Sequence, residues 1–250
     1  MQNSYFCKSS YLNVYELASK KSDLSTQLIY GEKFKVLGKK NKFFKIKTDF
    51  DNYVGFIKIE KFNKVLDKSH KVNILKSNIY NKPKNGKKFL SKNYLPFSSE
   101  IQILKKRNDF VMFEKNKWIK LNDLQIISKQ DYNFTKIFKL FLNIKYKWGG
   151  KTFDGIDCSA LLQIFYKYNH KFFPRDTKDQ VKIRKGVKNK KVFKKGDIIF
   201  WKGHVAICLN PKELIHAYGP RKKVIIMPII KTIKLIKKTA NLKVIKIISI

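Results

Sequence analysis

The chain has 250 residues, 43% apolar and 14% aromatic, which supports two or three domains with real cores. Its formal net charge is +38, yet only Arg107, Arg175, Arg184 and Arg221 are arginine, and the lysines are spread along the whole length. That spread favours a generally cationic surface over an obligatory nucleic-acid partner. No stretch approaches the ~20 apolar residues of a membrane span. The N-terminal MQNSYFCKSSYLNVYELASKK lacks the apolar core and small-residue cleavage site of a signal peptide. The cysteines are Cys7, Cys158 and Cys208, an odd set without framework spacing, which fits a reducing compartment and points to the cytoplasm.

Residues 11–65 read as short strands, YLNVYELA, STQLIYGEKFKVLGKK, KFFKIKTDF and NYVGFIK, with turns at 39–42 and 49–52. This pattern predicts a small β-barrel. Residues 71–127 repeat it, with LPFSSEIQILKKR aligning on LIYGEKFKVLGKK, and 64–70 reads as the linker between the two. Residues 128–133 lead into a third region.

That region is organised around YKWGGKTFDGIDCSALLQIFYKYNHKFFPRDTKDQ, residues 146–180. Gly149, Gly150 and Gly155, with Asp154 and Asp157, are turn chemistry. From Ser159, residues Leu161, Leu162, Ile164, Phe165 and Tyr168 fall at helical spacing and predict an amphipathic helix ending near Asn169. Cys158 then sits in the first helical turn, where the helix dipole and open N–H groups favour thiolate over thiol. It is a candidate nucleophile; the alternative is a small buried apolar residue.

Downstream, VAICL and ELIHA read as strands joined by a turn at Asn210–Pro211, a hairpin that brings His204 and His216 to one place. Cysteine, base and orienting group is the minimal set for thiol acyl chemistry. His70 and His170 lie in polar turns, and Cys208 reads as core. Arginine inside FPRDT, in so lysine-rich a chain, suggests forked hydrogen bonding by Arg175. One Cys and two His at these separations lack the close paired spacings of a zinc site, so no metal is expected. Beyond Pro220, KKVIIMPIIKTIKL and NLKVIKIISI are rich in β-branched residues and predict strands, completing an α+β domain.

YKWGG, DGIDCSALLQ, FPRDT..Q, KKGDIIFW, GHVAI and LIHA, in this order, resemble the NlpC family of peptidoglycan cysteine endopeptidases over roughly residues 135–250. The closest likeness is to its cytoplasmic γ-D-glutamyl-L-diamino acid endopeptidases with N-terminal bacterial SH3-like domains. Ala160 stands where the family usually has glycine, a small change that favours helix. The resemblance implies two SH3-like barrels, residues 1–66 and 70–128, then a papain-like α+β peptidase domain with an antiparallel sheet, residues 133–250. It implies Cys158 as nucleophile, His204 as base, His216 as the third polar residue and Tyr146 as oxyanion support, with no cofactor. Tyr146 also reads as a packed aromatic beside Trp148.

The implied substrate is the γ-D-glutamyl to diaminopimelate or lysine bond of peptidoglycan stem peptides, in freed muropeptides carrying N-terminal L-alanine. Asp176 matches the position that binds the α-amine, with Asp157, Ser159, Arg175 and Thr177 lining the substrate site. Glu32 and Tyr53 are candidates from the first barrel, against the plainer readings of turn carboxylate and core tyrosine. Three alternatives stay open: an exported wall hydrolase, a thiol acyltransferase or amidase on the same fold, and a basic nucleic-acid-binding protein.

Overall fold

The computed structural model describes residues 4–249. The chain divides into two compact units, Met1–Tyr132 with Lys167–His170, and Asn133–Tyr166 with Lys171–Ile250. Together they make a mixed, sheet-rich α+β chain.

The first unit begins with β1 (Ser4–Phe6), β2 (Tyr11–Tyr15), β3 (Leu24–Ile29), β4 (Lys33–Lys40), β5 (Phe43–Thr48) and β6 (Val54–Lys58). They form one antiparallel sheet in the order β1-β4-β5-β6-β2-β3. Its inward residues Leu12, Val14, Leu28, Phe34, Ile46 and Ile57 bury a core with Cys7. STQLIYGEKFKVLGKK is two strands, broken where Glu32 turns back to accept the Ile29 N–H at 2.8 Å.

Next come β7 (His70–Val72), β8 (Lys76–Tyr80), β9 (Leu90–Pro96), β10 (Glu100–Ile101), β11 (Lys105–Arg107), β12 (Phe110–Glu114), β13 (Lys117–Lys120) and β14 (Leu124–Ile126). They separate into a three-stranded sheet, β10-β7-β14, and a five-stranded one, β11-β12-β13-β8-β9. Among the described residues neither half closes into the barrel anticipated from its strand pattern. The six-stranded sheet ends on β1 and β3, and register shifts at 112–114 and 78–80 interrupt the later ladders. Strand periodicity reports which face is buried; it carries no information on whether a sheet closes.

The second unit contains α1 (Phe134–Leu140), β15 (Lys151–Thr152), β16 (Gly155–Ile156), α2 (Cys158–Tyr168, its last two residues counted with the first unit) and α3 (Thr177–Gln180). These are followed by β17 (Ile198–Trp201), β18 (His204–Cys208), β19 (Glu213–Tyr218), β20 (Lys223–Pro228), α4 (Ile229–Ala240) and β21 (Lys246–Ile248). The late strands form an antiparallel sheet in the order β20-β19-β18-β17-β21. Cys208 is fully buried in its core with Trp201, Leu214 and Ile236.

Two helices depart from the sequence pattern. The polar stripe of α2, Ser159, Gln163 and Lys167, is buried along with its apolar face, and each side chain has polar partners. The second half of KKVIIMPIIKTIKL, expected as strand, instead opens the helix α4. Pro228 has no N–H to continue a ladder, and Ile229, Thr232 and Ile236 are buried at helical spacing while Lys231, Lys234, Lys237 and Lys238 face water. Among the described residues no helix is long and apolar enough to cross a membrane.

Ile236 is 2% exposed and joins α4 to the sheet. Ile236→Ala is expected to cost about 2–5 kcal/mol, read as a lower urea midpoint with an unchanged m-value.

Candidate active site

The site grows from the turn that enters α2. Gly149 takes a φ of +69° and donates its N–H to Asp157 Oδ2 at 2.9 Å. At Gly150 an added Cβ would lie 2.4 Å from the Gly155 carbonyl oxygen, so only glycine fits. Asp157 caps the helix, its Oδ1 accepting the Ala160 N–H at 2.8 Å. It also accepts Ser159 Oγ at 3.1 Å and the fork of Arg175, Nη1 at 3.0 Å and Nη2 at 2.7 Å. Arg175 Nη1 reaches Ser159 Oγ as well, at 2.8 Å. Asp157, Ser159 and Arg175 are all buried, and five donors fill the carboxylate of Asp157.

This frame places Cys158 at the start of α2, 5% exposed. Burial pushes its thiol up to about 12 and the Asp157 charge adds to that; the Val205 backbone, Arg175 and the Thr177 hydroxyl pull the other way. Desolvation thus works against the thiolate that the helix dipole favours. Val205 immediately follows His204, so the thiol lies against the start of β18.

His204 Nε2 and His216 Nδ1 are 2.9 Å apart across β18 and β19. His216 is fully buried and stacks on Tyr218 with centroids at 4.7 Å and planes 9° apart. Burial lowers His204 to about 4, and burial with the neighbouring His204 takes His216 well below the ordinary imidazole value. Burial thus disfavours the charged form of the thiol and of both imidazoles. Such a set can pass a proton from sulfur to nitrogen as the sulfur attacks, with no ion pair formed beforehand.

Tyr146 is half-buried; desolvation, then Cys158 and Asp157, raise its hydroxyl, which stays a proton donor. Its neighbour Trp148 is 65% exposed. Asp176 stands at the N-cap of α3 without a capping bond, half-buried, 3.9 Å from Lys178. Burial raises its pKa against the pull of Arg175 and Lys178. Thr177 is buried beside it. The second unit thus brings together Tyr146, Asp157, Cys158, Ser159, Arg175, Asp176, Thr177, His204 and His216. Glu32 and Tyr53 belong to the first unit. There Glu32 is buried, 3.8 Å from Lys167, and the half-buried Tyr53 donates its N–H to Thr48 Oγ1 at 2.8 Å.

Two residues went unassigned from sequence. Gln180 Nε2 donates to the carbonyls of Ser159 and Pro174, each at 2.9 Å, tying α3 to α2; its place in FPRDT..Q was the available signal. Met227 Sδ lies 3.3 Å from His216 Nε2, and nothing in its strand marked it. Among the described residues no cluster of three or more His, Cys, Asp or Glu is placed to hold a metal.

Residues 143–239 match the family described as NlpC/P60, and residues 14–62 match the bacterial dipeptidyl-peptidase SH3 domain. The chain is 26% identical to the γ-D-glutamyl-L-lysine dipeptidyl-peptidase of Bacillus subtilis strain 168 over 234 residues, 84% of this chain and 77% of that protein. It is 35% identical to the protein of the same name from Bacillus cereus ATCC 10987 over 100 residues, 36% of this chain and 29% of that one. The crystal structure of an NlpC/P60 family protein from Bacillus cereus ATCC 10987 superposes with a TM-score of 0.76. It covers 90% of this chain and 94% of that one at 19% identity, a likeness of fold.

Removing one partner of a buried ion pair leaves the other charge uncompensated, so Arg175→Ala is expected to lower stability by about 3–5 kcal/mol in urea unfolding. The histidines set a pH slope. Their folded-state pKa values lie below the unfolded 6.5, so between about 4 and 6.5 the unfolded chain binds more protons. Their full stability is present above pH 6.5 and is lost as pH falls through that window. Urea midpoints measured from pH 7 to 5 should fall less in the His204→Gln/His216→Gln double variant than in wild type.

Proposed function

We propose that Cys158, His204 and His216 are the nucleophile, base and orienting residue of a cysteine peptidase, a reading supported by the match of residues 143–239 to the NlpC/P60 family and of residues 14–62 to the bacterial SH3 domain. The bond cleaved is the amide between γ-D-glutamate and the diamino acid, diaminopimelate or lysine, of a peptidoglycan stem peptide. The observation that carries the reading is the 2.9 Å contact between His204 and His216, with the Cys158 thiol against Val205 at the head of the same strand.

As Cys158 Sγ attacks the amide carbonyl, its proton passes to His204. The oxyanion is met by the Cys158 backbone N–H at the N-terminus of α2 and by the Tyr146 hydroxyl. His204 then protonates the leaving amine of the diamino acid, and the C–N bond breaks to leave a thioester. Water, deprotonated by the now neutral His204, attacks the thioester; the carboxylate departs and the proton returns to sulfur. His216 accepts the His204 Nε2–H throughout and stabilises the imidazolium.

Asp176 supplies the carboxylate for a free α-amine. It has no capping bond to break, and its half-buried position strengthens attraction to an ammonium. The relatives named γ-D-glutamyl-L-lysine dipeptidyl-peptidases support a substrate whose N-terminal side is a dipeptide. Freed muropeptides with N-terminal L-alanine, processed in the cytoplasm during wall recycling, fit that requirement. Residues 1–66 and 70–128 are read as tandem SH3-like domains, and 133–250 as the peptidase domain.

The test is a digest of L-Ala-γ-D-Glu-meso-diaminopimelate, free and N-acetylated, read by mass spectrometry. Wild type should release L-Ala-D-Glu from the free-amine peptide only, and Cys158→Ala should release none. Asp176→Asn should lower kcat/KM for the free-amine peptide by about 2 kcal/mol, roughly thirtyfold. Equal cleavage of the acetylated peptide would remove the amine pocket and point to a hydrolase of intact wall. No cleavage of either peptide would move the assignment to another thiol acyl transfer.

A further inference from the structure

We propose that Met227 is a positioning residue for the histidine pair: its thioether accepts the His216 Nε2–H and so holds both rings in the tautomers that leave His204 Nδ1 bare. The inference rests on the reading of His204 as the base. His216 pairs with Ile225 across β19 and β20, and Leu214 pairs with Met227, so Met227 is the diagonal neighbour of His216 on one face of the sheet. Its Sδ lies 3.3 Å from His216 Nε2, in a ring with no solvent exposure.

A thioether sulfur carries no hydrogen and can only accept. A neutral His216 that hydrogen-bonds to it must therefore be protonated on Nε2, which leaves Nδ1 as an acceptor. Across the 2.9 Å contact, His204 must then donate from Nε2, and its Nδ1 keeps a lone pair. The opposite chain, with His216 donating from Nδ1, would put the His204 proton on Nδ1. A ring in that state has no lone pair there to take a proton from sulfur. Burial keeps both rings neutral, so a single proton on each is what the acceptor has to place. The stack of His216 on Tyr218 fixes the ring plane, which leaves the sulfur to choose between tautomers.

The experiment combines nitrogen-15 spectra of the histidine-labelled full-length protein with steady-state kinetics. In wild type His204 should be protonated on Nε2 and bare on Nδ1, and His216 protonated on Nε2. Met227→Leu keeps the volume and removes the acceptor; it should populate the opposite tautomer and lower kcat on the order of tenfold with KM unchanged. Met227→Gln restores an acceptor oxygen and should recover both the spectrum and kcat. A wild-type His204 protonated on Nδ1, or a Met227→Leu spectrum identical to wild type, would overturn the proposal. The wild-type spectrum can overturn the proposal even where a variant fails to fold. It needs no turnover, so an inactive wild type with the expected tautomers would sink the peptidase reading, leaving the His216–Met227 hydrogen bond in place without a catalytic consequence.

Discussion

The second unit depends on one buried carboxylate. Asp157 starts α2 by accepting the Ala160 N–H, fixes the preceding turn through the Gly149 N–H, and holds Arg175 by two parallel hydrogen bonds. A buried charge is tolerated only when paired and hydrogen-bonded, and here all five donors converge on it. Cys158 is the next residue in the chain, so whatever orients Asp157 orients the thiol. Arg175 also links the helix to the segment bearing Asp176 and Thr177. Arginine is scarce in this chain because lysine serves on the surface; here only a planar fork matches both carboxylate oxygens and Ser159 at once.

That frame has an electrostatic consequence. The Val205 backbone, Arg175 and Thr177 favour a thiolate, while burial and the adjacent Asp157 disfavour it and raise the thiol. The same burial lowers both histidines. Burial therefore disfavours the charged forms of all three groups together. Proton placement within the imidazoles then matters more than their net charge, which is why a weak acceptor such as a thioether acquires a role.

In the first unit the lysine-rich composition reaches the interior. Lys71 is fully buried, donates to the Tyr168 carbonyl at 2.6 Å and lies 4.2 Å over that ring; burial lowers its pKa to about 8. Lys167 donates to the Ser98 carbonyl at 3.3 Å and lies within 4 Å of Glu32 and Glu100. Burial alone would raise Glu100, yet Lys167 and Lys68 hold it down to about 2. Each buried ammonium is thus matched by oxygen acceptors, the condition under which such a composition remains compatible with a packed core.

By itself the sequence determined what is local. Short apolar and β-branched runs between turns marked strands in both units, helical spacing marked α2, and a turn of glycine and aspartate located Cys158 at its first turn. Two histidines one hairpin apart announced their own contact, since a tight turn pairs neighbouring strands. Closure of the early sheets was not legible, because a strand's period records burial and not which edges meet. The helix α4 was hidden for a related reason: isoleucine suits both periods, and only the sheet it packs on decided between them. Tertiary structure alone decided the burial that raises the Cys158 thiol and lowers His204 and His216. It alone brought Met227 to His216, through a strand register that no local pattern encodes.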